Sequence, residues 1–160
     1  MIVIGVFAAI AVALFAAAFL SKRRFGLLGL ALTAGATLST IWQQDAGYVV
    51  ASLGIIQDDT IASAVSLSAV VLLPAILLLF HGYSYKSVVG RLIGSLLFTT
   101  LALAFLVEPI GFALPLSGAA ADIYAAIKDN KDIIISAGVI AAIIDLFFTK
   151  PAHQPKEKHH

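Results

Sequence analysis

A chain of 160 residues that is 61% hydrophobic and 12% charged, with a mean hydropathy of +1.02, has the composition of a protein dissolved in a bilayer. Each membrane crossing uses about 20 apolar residues, so the length leaves no room for a soluble catalytic domain. A net charge of +1 without a basic face excludes a nucleic-acid partner, and zero cysteines exclude disulfides and thiolate metal sites.

Five apolar segments follow one another along the chain: Ile2–Leu20, Phe25–Trp42, Ile61–Phe80, Val88–Val107 and Ile133–Phe148. The first is expected to be a retained span, because Lys22, Arg23 and Arg24 follow it, whereas a cleavable signal carries its positive charge in front. The last has 16 residues and rises roughly 24 Å, so it crosses only if Lys131 and Lys150 snorkel outward from its ends. The expected fold is therefore an all-α bundle of five transmembrane helices over residues 1–149, with residues 150–160 forming a cytoplasmic tail.

Charge placement tests these spans independently. With the N-terminus outside, the inner segments hold eight basic residues (Lys22, Arg23, Arg24, Lys86, Arg91, Lys150, Lys156, Lys158) and the outer ones two, Lys128 and Lys131. That bias orients the bundle N-out and C-in. Trp42 and the four tyrosines fall at or just beyond span ends, where amphipathic rings prefer to sit.

The outer connections, 47–56 and 109–121, are apolar but too short and too broken by glycine and proline to cross, so interfacial or re-entrant segments are expected. After Pro115, Ala120, Ile123, Tyr124 and Ile127 recur at helical spacing, which predicts a short amphipathic helix lying flat on the outer leaflet. Residues 1–59 and 60–121 share one order of elements, but alternating hairpins with a charge bias give the same pattern without a duplication.

Small residues form ladders that predict close helix packing: Gly5, Ala9 and Ala13 in the first span, Gly29 and Thr33 in the second, and Gly90 with Gly94 as a GxxxG in the fourth. The same surfaces would serve as a seam between two copies. Asp145 is the one acid inside a predicted span, and Arg91, one turn into the fourth, is its first expected ion-pair partner, with Lys86 and Lys150 as alternatives. Pro74 interrupts the third span, where it removes one backbone hydrogen bond.

No catalytic constellation can be assembled. A serine nucleophile needs a base within reach, yet no histidine lies inside a span, and hydrolase, zinc-protease and phosphate-loop motifs are absent. No cofactor or metal site is expected. The expected partners are membrane lipid, a second copy of the chain, or other membrane proteins.

At the level of hairpins, residues 1–107 resemble the colicin V production protein family of bacterial inner-membrane proteins. The resemblance rests on the N-out first span, the basic turn Ser21-Lys22-Arg23-Arg24-Phe25-Gly26, and the polar turn into a glycine-bearing fourth span, Tyr85-Lys86-Ser87-Val88-Val89-Gly90-Arg91-Leu92-Ile93-Gly94. The fifth span departs from that family's plan. The resemblance implies a non-enzymatic envelope protein of the inner membrane, associated with secretion or surface homeostasis. The sequence thus predicts a non-catalytic membrane scaffold, with a small-solute transporter or channel subunit as the alternative. A continuous polar cavity would favour transport; a dry, closed bundle would favour the scaffold.

Overall fold

The computed structural model describes residues 2–43, 58–82, 84–113 and 118–148, together with Asp45, Tyr48 and Ser52. The described residues form five helices, α1 (Ile2–Ser21), α2 (Phe25–Ile41), α3 (Asp59–Leu79), α4 (Val88–Ala113) and α5 (Ala119–Phe147), and Tyr48 and Ser52 are helical as well. Among the described residues there is no strand, only an isolated antiparallel bridge between Arg23 and Ser84 that ties two connections together.

Local chemistry sets several boundaries. Lys22 adopts φ 60°, which turns the chain sharply between α1 and α2. At the start of α3, the Asp58 carboxylate accepts from the N–H groups of Thr60 (2.9 Å) and Ile61 (3.1 Å), two of the donors that a helix N-terminus leaves unpaired. Pro74 and Pro109 both lie inside helices, and each removes one N–H from its ladder without ending it.

Consecutive helices run antiparallel. Helix α4 packs against all four others and α2 packs against α3, α4 and α5, so these two form the middle of the bundle, with α1 held chiefly by α4. The core runs along the bundle from Phe25, Leu28 and Phe98 through Leu32, Ala75 and Leu101 to Val71 and Leu106. The end that carries the α1–α2 turn is called the basic end below.

Two α-helices among the described residues are long and apolar enough to cross a membrane, over Thr60–Leu79 and Val88–Gly111. The apolar stretches Gly5–Ser21 and Phe25–Ile41 fall short of that length, and the first half of α5 carries Asp122, Lys128, Asp129, Lys131 and Asp132. The expected flat helix after Pro115 is not a separate element: its residues open α5, which continues unbroken into the fifth apolar segment. No proline or glycine interrupts residues 119–137, and the charged residues between are compatible with helix, so hydropathy changes there while the backbone does not. This first half stands against α4. A side chain at Gly111 would run into the Tyr124 ring, and Lys131 pairs with Glu108. Helix α4 also extends past its expected end at Val107 to Ala113, so the described residues of the outer segment 109–121 are helical apart from Gly118. The other outer segment, 47–56, lies outside the described residues apart from Tyr48 and Ser52, as does the tail 150–160.

Candidate functional site: a latched end and an open end

At the basic end, charged side chains complete the termini of neighbouring helices. Helix α2 starts without a side-chain cap of its own, its N-cap position being Arg24. Its first donors are satisfied from elsewhere: Gly26 N–H donates to Asp145 Oδ2 at 2.9 Å, and Phe25 N–H to the Tyr85 hydroxyl at 3.1 Å. Arg24 Nη2 closes the arrangement on Asp145 Oδ1 at 3.0 Å, with both side chains about four-fifths buried. A carboxylate one turn from the end of α5 faces the negative pole of its own helix dipole. Placed on the N-terminus of α2, it meets a positive pole and a guanidinium.

Tyr85 is the keystone. Its ring lies 5.3 Å from the Arg24 guanidinium, and its hydroxyl is hydrogen-bonded to Asp145 as well as to Phe25. Burial pushes the phenol above its ordinary pKa; the Phe25 N–H pulls the other way, and the Asp145 charge pushes it up again. The phenol therefore keeps its proton and acts as a donor to the carboxylate.

Two further arginines act in the same manner. Arg23 Nε donates to the Leu79 carbonyl (3.1 Å), Nη2 to the Phe80 carbonyl (2.8 Å) and Nη1 to the Gly82 carbonyl, closing the C-terminus of α3. Arg91 Nη2 donates to the Phe19 carbonyl at 2.7 Å in the last turn of α1, with its guanidinium 4.4 Å from the Phe19 ring. The expected Asp145–Arg91 pair is thus replaced: Asp145 pairs with Arg24, and Arg91 turns to α1. Arg24 wins because it sits where α2 begins, so one carboxylate neutralises it and caps the helix together.

The small-residue ladders divide in an unexpected way. A Cβ on Gly5 would meet nothing within 4 Å, and Ala9 and Ala13 are exposed, because α1 packs through Ile10, Leu14 and Ala18 instead. Gly29 lies against Ala142 of α5, while Thr33, four residues on, lines a cleft. Gly90 and Gly94 do not bring a second helix close: a Cβ on Gly94 would stand 2.6 Å from the Tyr85 ring, and one on Gly90 3.0 Å from it. The GxxxG is a slot for an aromatic side chain. Gly94→Leu is accordingly expected to expel Tyr85 and uncap α2, lowering the unfolding midpoint in detergent, while the exposed Leu96→Ile leaves it unchanged. Equal midpoints would show that Tyr85 does not rely on the slot.

Among the described residues, the opposite end holds a cleft. A cleft of about 850 Å³ lies among α2, α3, α4 and α5. Its polar lining residues include Thr33, Thr37, Thr40, Gln43, Ser63 and Glu108, and its apolar ones Leu67, Val71, Phe105 and Ile135. It reaches about halfway down α2 and α3, where Leu28, Leu32 and Ala75 close the bundle. Of its polar residues, Thr33 and Thr37 stand out in the sequence, as members of a small-residue ladder and not as a ligand site. The available signal was that hydroxyls on α2 and α3 share one depth once the helices are antiparallel. Among the described residues no group of three or more His, Asp or Glu residues could hold a metal ion. Comparison with protein-family models, curated proteins and solved structures finds no match to this chain, so none of them bears on the colicin V production resemblance.

Proposed function

We propose that the chain is a multi-pass membrane protein of five spans, N-terminus outside and C-terminus inside, whose outer-half cleft receives a small polar solute. This is a transport-type role and not that of a scaffold or an enzyme. The observation that carries the reading is the difference between the two ends of the bundle: a polar cleft at one, and a network of latched side chains at the other. A cleft lined by apolar side chains together with a few polar groups is the usual make-up of a small-molecule site.

The five-span reading draws support from the antiparallel order of the helices and from the arginines, which gather where α1, α3 and α5 end and α2 and α4 begin. That is the side the positive-inside rule assigns to the cytoplasm. Helix α1, with 20 residues, matches a hydrocarbon core of roughly 30 Å, and α2, with 17, would cross with slight local thinning. In α5 the apolar second half would cross, and the charged first half would stand in the outer headgroups. The hairpin resemblance agrees with a bacterial inner membrane and a non-enzymatic role, although transport departs from the secretion-linked function that it implies.

The absence of cysteine allows a direct test. Ser63→Cys and Thr37→Cys in intact cells should react with a membrane-impermeant thiol reagent added outside, and Ala75→Cys in the buried core should not. A reporter fused after Lys158 should be cytoplasmic. Protection of both cleft positions would return the bundle to a scaffold, and labelling from the cytoplasmic face alone would invert it.

A further inference from the structure

The hydroxyls of the cleft are not neutral in what they offer a ligand. Thr33 Oγ1 donates its proton to the Gly29 carbonyl, Thr37 to Thr33 and Thr40 to Ala36, each at 3.0 Å. With the proton committed to the preceding turn, each threonine has lone pairs left to present. Phe105, on another wall, has a carbonyl that loses its helical donor because Pro109 carries no N–H. Glu108 adds a carboxylate at the rim, half exposed. These walls are rich in acceptors, and the cation at their edge is Lys131, one helical turn from the lining residue Ile135 and engaged with Glu108.

We propose that this cleft takes a small organic ammonium ion, with its N–H donors on Glu108 and the threonine oxygens and its alkyl part against Ile135, Val71 and Leu67. The ammonium of Lys131 competes for the same carboxylate from within the chain. The inference rests on the outward-cleft reading above and adds the ligand's chemistry to it. The Glu108 carboxylate and the committed threonine hydroxyls favour a donor-bearing cation and disfavour an anion, which would leave the carboxylate facing like charge; the Gln43 amide and the Ser63 hydroxyl are the donors that the same cleft holds. The cleft volume is generous for a bare metal ion and suits a ligand with an apolar body.

The test is calorimetric titration of the full chain in lipid discs at neutral pH. The probe is n-butylammonium chloride, compared with tetramethylammonium chloride, 1-butanol and sodium butyrate. Butylammonium is expected to bind, tetramethylammonium more weakly because it has no N–H to donate, and the other two not at all. Glu108→Gln should weaken butylammonium about tenfold, as for a charge-assisted contact. Lys131→Met should tighten it by about threefold to fivefold, the scale of a partly exposed pair. Thr37→Val, which leaves the ion pair intact, should weaken it severalfold and serves where Glu108→Gln fails to fold. Equal binding of butanol or tetramethylammonium, or preferred binding of butyrate, would overturn the ligand class, and unchanged or weaker affinity in Lys131→Met would overturn the competition. If butylammonium does not bind while Ser63→Cys still labels from outside, the ammonium proposal fails and the cleft reading stands; if labelling fails too, both fall.

Discussion

Gly35→Leu is expected to leave almost no folded bundle in a detergent-unfolding assay, whereas Gly5→Leu should match the unchanged chain. A Cβ at position 35 would overlap the carbonyl oxygen of Val71 and stand 2.8 Å from its carbonyl carbon and 2.9 Å from the Val70 oxygen. These are backbone atoms of α3, so no rotamer change can relieve the contact. Helix α2 would have to move off its most extensive neighbour. Inserting even small groups into a packed core costs about 1–3 kcal/mol, and a leucine against rigid backbone belongs at or above the top of that range. Gly5 has open space around it, which makes it the control for hydrophobic bulk alone. Similar losses in both would show that α2 and α3 do not meet at Gly35.

Asp145→Ala is the second substitution expected to have a large effect. It leaves the Arg24 guanidinium without its carboxylate and the Gly26 N–H without its acceptor, at the start of a helix that has no cap of its own. Breaking a buried pair by removing one member costs about 3–5 kcal/mol. The lower end applies here, because both side chains keep some exposure. Asp145→Asn should lose less, since an amide oxygen can still accept from Gly26. The double change Asp145→Asn with Arg24→Gln should regain part of the loss, while Asp145→Asn with Arg91→Gln should lose stability additively. Thermal unfolding of the set decides between the two arginines: recovery with Arg91→Gln and not with Arg24→Gln would contradict the pairing.

The helical class and the strand-free architecture are legible in composition and hydropathy, and so are the starts of α2 and α4, which fall at Phe25 and Val88 as the apolar runs predict. Helix α5 is not, because a hydropathy reading ends a segment where charge begins, and Lys128 to Asp132 change the solvent preference without breaking the backbone. Asp145 stands out in sequence as an acid in an apolar run. Its partner does not, since several basic residues share that end of the molecule, and only the fold shows which of them adjoins an uncapped helix. The Gly90–Gly94 spacing reads the same whether it admits a helix or the ring of Tyr85, five and nine residues away. Ladders in α1 and α2 are likewise identical on paper, though Gly5 faces open space and Gly29 meets Ala142.

The latch also imposes an order on biosynthesis. Phe25 and Gly26 leave the ribosome early, yet their acceptors arrive with Tyr85 and, last of all, with Asp145 near the end of α5. Until then α2 waits with bare donors, and Arg24 has no counter-charge from the final helix. The network therefore closes only once α5 has been made; before that the basic turn lacks its carboxylate and the second helix its cap. A chain that ended before Asp145 would keep that end loose, and the full one ties it down.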